Sequence, residues 1–490
     1  MRIIVVGGGI SGLTAAYFAL AAGHEVVCLE PGQPGGLVAS HRIDGFLCEA
    51  GPQAVLAGAP DTAALVEALG LAARAIHPEP DARRRFIFVK GKLRPIPMSP
   101  LGLLTTGTLS FKARLRVLLE PLMFARQALP DDDDETFLSF GRRRLGAEAV
   151  QVLLATAAIG IYAGDAAELS VASAFPRLAV MERDHGSLFR GFLASRTGGR
   201  SRGRPLTFPE GLGELPAALA RALGPNLWRA AATGVAPSSA RTWRVELSPS
   251  PGAAPAGEPP THVEGDIVLF ATDAPTSARL LGPLCPEVDH LKEIVHAPIA
   301  VCALGFRDVA SRPIGMKTAG YGFLVARGEK ARLLGCQFES STFAGRAPAG
   351  AFLARTLLGG VGPGFDPAIV ERPEDLIASR AVEDLRALAG LSREPDFVKV
   401  WRYPHGIPQY RPGHMKVVKT INEGLRKRRG LYLIGHALRG VGLNECIRAA
   451  QEVVNAAIAA ASHGDSRKSA ALPAFRDSFP AGLSTEPNEG

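Results

Sequence analysis

Cysteine is scarce and scattered in this 490-residue chain: Cys28, Cys48, Cys285, Cys302, Cys336 and Cys446 stand singly. None forms a Cys-x-x-Cys pair or has a histidine at ligand spacing, which argues against zinc, an iron–sulfur cluster or a disulfide framework. That usage suits a reducing, cytoplasmic setting. Cys28 and Cys302 sit in apolar runs and read as small core residues. Long apolar runs are missing too. No stretch of about twenty residues lacks strong breakers, so no membrane-crossing helix is expected. The longest candidate, Val150 to Ala163, reads as a buried helix, and the N-terminal apolar stretch has no cleavage signature. Aromatic residues make up only 6% of the chain. Its basic segments are interleaved with aliphatic side chains, so nucleic acid is not an expected partner.

Acidic residues are missing from one place in particular. Between Arg83 and Arg126, ten cations (Arg83, Arg84, Arg85, Lys90, Lys92, Arg94, Lys112, Arg114, Arg116 and Arg126) meet a single acid, Glu120. Ile96, Met98, Leu101, Leu103, Leu104, Leu109, Phe111, Leu115, Leu118, Leu119, Leu122 and Phe124 lie among them. A second basic run is Arg190, Arg196, Arg200, Arg202 and Arg204, within a net charge of +8. Basic, apolar and helical together suggest an anionic membrane surface or an anionic lipophilic ligand, against the plain alternative of a solvated basic face.

Glycine, by contrast, is placed with purpose. Ile3 to Val6 is a continuous apolar run, as in a strand buried on both faces, and Gly7-Gly8-Gly9-Ile10-Ser11-Gly12 follows it. Gly7 permits the tight turn, Gly9 lets backbone approach a pyrophosphate, and Gly12 lets the helix pack close to the sheet. The helix is expected over about Ser11 to Ala22, with Gly23 ending it and its N-terminal N–H groups facing phosphate. Glu30 ends the next apolar strand, where an acid takes ribose hydroxyls, so NADP is disfavoured. NAD and FAD are not separated by this motif.

The residues that follow do separate them. Pro34-Gly35-Gly36-Leu37, then Glu49-Ala50-Gly51-Pro52, and near the other end Gly440-Val441-Gly442-Leu443, resemble the FAD-dependent amine oxidase and protoporphyrinogen oxidase superfamily. Gly160-Ile161-Tyr162-Ala163-Gly164-Asp165, His185-Gly186-Ser187-Leu188, Gly320-Tyr321-Gly322-Phe323 and Ile407-Pro408-Gln409-Tyr410 resemble its protoporphyrinogen oxidases more closely. The resemblance covers about Met1 to His463. One departure is His436-Ala437 after Gly435.

The resemblance implies non-covalent FAD and a mixed α/β fold. Its parts would be a discontinuous Rossmann-like FAD-binding domain (1–78, 205–282, 425–463), a mixed-sheet substrate domain (79–96, 283–424) and a helical membrane-associated domain (97–204). A polar, proline-broken tail (464–490) is expected to be disordered. FAD would touch Gly7, Gly8, Gly9, Ile10, Ser11, Gly12, Glu30, Gly36, Leu37, Gly51, Pro52, Gln53, Ala54, Val235, Trp401, His436, Val441, Gly442 and Leu443. A porphyrinogen would meet Arg85 through a propionate, with Tyr321, Gly322 and Leu324 on one face and Leu357 on the other. The implied activity is oxidation of protoporphyrinogen IX to protoporphyrin IX with O2 as acceptor, in six electrons with H2O2 formed. No side chain is expected to be an obligatory base; His185 and His405 read as a motif residue and a turn neighbour.

Three other activities fit less of this pattern. Coproporphyrinogen III oxidation uses the same chemistry on four propionates. An amine oxidase would want an aromatic cage and a lysine beside the flavin, neither of which can be placed. A non-catalytic escort or dissociation inhibitor of the same fold would not need the intact glycine motifs. A homodimer and peripheral attachment to the inner face of the plasma membrane are the remaining expectations.

Overall fold

The computed structural model describes residues 1–97, 102, 106–123, 134–197, 203–249, 260–308 and 320–462. Two sheets organise them into a mixed α/β fold. The first sheet is wholly parallel, in the order Leu431–Leu433, Ile267–Phe270, Arg2–Val6, Glu25–Leu29, Leu227–Trp228. Both faces of its central strand are covered. Ile3 and Val5 pack with helix Ile10–Ala21 and helix Leu443–Ser462, while Ile4 and Val6 pack against Ala274, Leu281 and Val418. That two-sided burial is why the strand is uniformly apolar rather than alternating. Ala15, Ala16, Ala450 and Ala457 are small enough to bring the two helices close. A three-stranded antiparallel layer, Ala230–Pro237, Trp243–Pro249 and His262–Gly265, adjoins this unit.

The second sheet has seven strands, in the order Phe397–Pro408, His296–Phe306, Phe352–Gly359, Leu333–Gln337, Gly322–Val325, Arg85–Val89, Lys92–Pro95. All neighbours are antiparallel except Gly322–Val325 and Arg85–Val89, which run parallel. Cys302, Leu304, Ala354 and Val400 bury one face under helix Glu374–Ala389. The other face turns toward residues 43–48 and the helical segment, through Ile87, Val301, Leu357 and Trp401.

Several local expectations need correction. The first helix begins at Ile10, and Gly23, at φ +80°, lies just past its end. A Cβ on Gly12 would overlap the Gly7 carbonyl oxygen, so this glycine makes room for the turn more than for the sheet. His405 is not beside a turn. It lies exposed within the long edge strand Phe397–Pro408, where an edge position tolerates Pro404. Helix Phe137–Leu145 is capped by Thr136, whose hydroxyl accepts from the Ser139 N–H at 3.2 Å. Glu135 instead binds Arg143 at 2.8 Å.

The helix containing Val150 to Ala163 spans 147–162, with a π-type turn at Val150–Leu154, and it exposes Ile161. No helix among the described residues is long and apolar enough to cross a membrane. The tail 464–490, residues 250–259 of the proline-rich stretch Pro249 to Pro260, Arg200, Arg202, Asp131–Asp133, and Met98, Leu101, Leu103, Leu104, Phe124 and Arg126 of the basic stretch lie outside the described residues.

Candidate functional site

Four separate segments build a cradle at the C-terminal edge of the parallel sheet. Gly7 has φ +107°, and its N–H donates to the Leu29 carbonyl at 2.9 Å, tying the turn to the next strand. Glu30 follows that strand. Its carboxylate accepts from the Gly8 N–H at 2.8 Å and the Gly32 N–H at 2.7 Å. The Gly35 N–H donates to the Gly8 carbonyl at 2.8 Å, and a Cβ on Gly36 would stand 3.2 Å from the Gly9 Cα. Backbone therefore approaches backbone, and only glycine leaves the distance free. A Cβ on Gly9 itself would meet nothing within 4 Å. The chain leaves open space on that side, at the N-terminus of helix Ile10–Ala21.

The closing segment reaches the same place. Gly435 has φ +141° and Gly440 φ +59°, and Val441-Gly442-Leu443 leads into the last helix. Ser11 near the start of the first helix bonds to the Cys446 thiol in the last, so two helix N-termini stand side by side. Burial pushes that thiol up to about 12, which keeps it a packing group. Leu37, half exposed, carries its carbonyl against Gly51. Val235 packs on the cluster holding Val27 and Leu29. His436 is largely enclosed, its Nε2 has no hydrogen-bond partner, and burial with nearby His296 holds it down at about 4. Paired helix dipoles, an open glycine face, a ribose-type acid and an unpartnered imidazole nitrogen make a donor set that fits a dinucleotide flavin.

Register on the second sheet supplies the other half of the site. One cross-strand row runs Ile87, Leu324, Gly335, Leu357, Val301, Trp401. The next row on the same face runs Arg85, Gly322, Gln337, Arg355, Ala303, Lys399. Side chains two residues apart share a face, so an apolar row lies directly beside a polar one. Ile159 and Ala163 of the helical segment face Leu357 and Trp401 across a shared apolar cluster. Trp401 also stacks on His41, with centroids 5.6 Å apart. Gly322, at φ +136°, leaves no free room: a Cβ there would overlap the Cys336 carbonyl of the adjoining strand. Strand pairing, not a ligand, demands that glycine.

The polar row is wired together. Arg85 is exposed, and its guanidinium lies 4.7 Å above the Tyr321 ring centroid. The Tyr321 hydroxyl bonds to the Gln53 amide. With its amide turned to suit its neighbours, Gln53 donates to both Glu339 oxygens, at 2.8 and 2.9 Å. Glu339 meets Arg355 Nε at 2.8 Å, and Arg355 also donates to Gln337 and to the Gly51 carbonyl. Burial pushes the Tyr321 phenol up, with Gln53 and Arg85 opposing. Glu49 and Arg346, both fully buried, form a second pair at 2.7 Å, and burial raises the Glu49 carboxyl. Sequence reasoning missed Glu339, Arg355, Glu49 and Arg346. The signal available was a charged residue in an apolar strand, as Arg355 is inside Phe352–Gly359 and Glu49 ends Phe46–Glu49; Glu339 opens a short helix and Arg346 lies in a loop, with no such signal.

Several quoted motifs turn out to hold one another. Gln409 donates to the Tyr162 carbonyl at 2.7 Å, and a Cβ on Gly164 would collide with its amide oxygen. The Tyr410 hydroxyl donates to the His436 carbonyl. Ser187 donates to Glu120 at 2.6 Å, and Glu120 also accepts the Leu188 N–H and pairs with buried Arg144. His185 stays exposed at the surface. Arg116, counted among the outward cations, turns in to donate to the Arg143 and Arg144 carbonyls at 2.7 and 2.9 Å.

The family profile described as "Flavin containing amine oxidoreductase" matches residues 10–458. The chain belongs to that family. Its cofactor is FAD, and it is a flavin-dependent oxidoreductase. Among its relatives within the family, a coproporphyrinogen III oxidase of Propionibacterium freudenreichii subsp. freudenreichii is 31% identical, covering 96% of this chain and 94% of its own. A chloroplastic protoporphyrinogen oxidase of Oryza sativa subsp. japonica is 30% identical, covering 92% and 86%. A crystal structure of a candidate protoporphyrinogen oxidase from Exiguobacterium sp. 255-15 superposes with a TM-score of 0.76 at 27% identity, covering 93% and 98%.

Proposed function

We propose that this protein oxidises protoporphyrinogen IX to protoporphyrin IX. The observation that carries the reading is the pair of adjacent rows on the seven-stranded sheet. A porphyrinogen is a broad apolar body with propionates on one edge. The apolar row Leu324, Leu357 and Trp401 suits the body, and Arg85 on the adjacent row suits a propionate, since guanidinium binds carboxylate bidentately. FAD supplies the two-electron acceptor in each of three rounds, with O2 taking the electrons on as H2O2.

The chain's own contribution is position and dryness. Gly7 to Gly12 would hold the pyrophosphate, Glu30 the ribose, and Gly36, Leu37, Gly51 to Ala54, Val235, Trp401, His436 and Val441 to Leu443 the rest of the cofactor. Ile159, Leu324, Leu357 and Trp401 would exclude water from the macrocycle. Protons lost from the macrocycle can shift within its own pyrrole system, so the reading assigns no catalytic base.

Coproporphyrinogen III remains a second reading, favoured by the relative from Propionibacterium. Four propionates would want further free cations, whereas Arg355 on the polar row is held by buried Glu339. Anaerobic bleaching of the holoenzyme's flavin tests the choice. Protoporphyrinogen IX should bleach it fastest, ahead of coproporphyrinogen III, and a panel of amines should leave it yellow. Bleaching by an amine alone would overturn the porphyrinogen reading.

The helical segment carries a further part of the proposal. Phe111, Leu115, Leu118, Leu119 and Leu122 are exposed beside Lys112, and Phe189 and Leu193 are exposed on the adjoining helix. A contiguous apolar patch with basic neighbours suits the surface of an anionic membrane. The protein should float with anionic vesicles at low salt and release at high salt; recovery in the soluble fraction at low salt would sink this part.

A further inference from the structure

We propose that Tyr321 is a positioning residue that holds Arg85 for a substrate carboxylate, rather than a wall of the macrocycle slot. The inference rests on the porphyrinogen reading and deepens it. Arg85 begins its strand and is exposed, so its long side chain would otherwise sample many rotamers. The Tyr321 ring lies directly beneath the guanidinium, at 4.7 Å from its centroid. A cation over a ring face keeps its N–H edge free for a planar carboxylate. The ring cannot drift, because the phenol is tied to Gln53, Gln53 to Glu339 and Glu339 to Arg355. Each of those three residues is at least 95% buried. Arg355 in turn grips the Gly51 carbonyl. Arg85 is thus joined to the Gly51 loop by a cation–ring contact followed by a chain of hydrogen bonds and an ion pair. The Arg85 guanidinium covers one face of this ring, and the tied phenol fixes its edge.

A double-mutant cycle on the holoenzyme tests this, read both as KM against kcat and as the Kd for protoporphyrin IX. Arg85→Ala should weaken binding on the order of a hundredfold. Tyr321→Leu should weaken it about tenfold, with flavin content unchanged. The double variant should bind no worse than Arg85→Ala alone, because Tyr321 acts only through Arg85. Tyr321→Phe keeps the ring and drops the tether, so it should fall between wild type and Tyr321→Leu. Arg84→Ala, exposed and one residue before the strand begins, is the control. If the two single losses multiply, or if Tyr321→Leu binds as wild type, the positioning role is wrong while the carboxylate reading survives. If Arg85→Ala binds porphyrin as wild type, both fall together.

Discussion

The turn at Gly7 to Gly12 and the polar row at Arg85 to Arg355 do comparable work, yet they are written into the chain in opposite ways. The turn is local. Its glycines, its acid and the second glycine pair all lie within residues 7–36, and hydrogen bonds such as Gly35 N–H to Gly8 carbonyl close it on itself. The row is assembled from residues separated by up to 270 positions, because Arg85 and Arg355 sit on strands brought together only by sheet register. A local device keeps its meaning in the sequence. A register-built device has no sequence spacing to read.

The largest test of that contrast lies inside the turn itself. Gly12→Val should cost more than about 4 kcal/mol and yield little folded protein, since the added Cβ overlaps the Gly7 carbonyl. Gly9→Val, three residues earlier, should fold normally, because a Cβ there meets no protein atom, yet it should purify without FAD. Circular dichroism and flavin absorbance together separate the two. Normal flavin in Gly9→Val would show that the open face at this turn is not the pyrophosphate site.

The same contrast can be sharpened along the row. Arg355→Met leaves the Glu339 carboxylate buried without its partner, so thermal unfolding should report a loss of about 3–5 kcal/mol. Arg85→Ala, on an exposed strand end, should leave thermal stability within about 0.5 kcal/mol of wild type. Equal losses would mean that the row is one structural unit rather than a buried brace with a free end.

A pH-dependent effect is expected at His436. Its folded value lies at about 4, below the ordinary 6.5, so the unfolded chain binds the proton more readily. Stability from this residue is therefore complete above about pH 6.5 and is lost as pH falls toward about 4. His436→Asn should lose less melting temperature than wild type between about pH 7 and about pH 5. An identical loss in both proteins would assign the acid sensitivity elsewhere.

These tests also mark what could be read without coordinates. The first strand, the acid and most strands of the second sheet follow from apolar runs and glycine punctuation. The edge strand at Phe397–Pro408 did not, because Pro404 breaks its pattern; it is tolerated on an edge strand, in the irregular stretch between paired Tyr403 and Ile407. Gly322 is implied by the resemblance to lie beside the macrocycle, but what requires a glycine there is the Cys336 carbonyl across the ladder. Arg116 was read as outward charge, whereas it caps a helix C-terminus. In each case the deciding partner is distant in sequence, and residue type alone does not name it.

The strand order of the parallel sheet carries a last implication. Its central strand is Arg2–Val6 and one neighbour follows within thirty residues, but the far edge is Leu431–Leu433. A ribosome adding residues in order therefore releases the opening turn more than four hundred residues before the helix that stands beside it. The cradle stays half built through that interval, with Ile10 and Leu13 awaiting the helix that packs on them. Such long-range closure is slow and leaves apolar surface exposed in the interval. Closure of this cradle therefore waits on helix Leu443–Ser462, and the opening turn alone does not complete it.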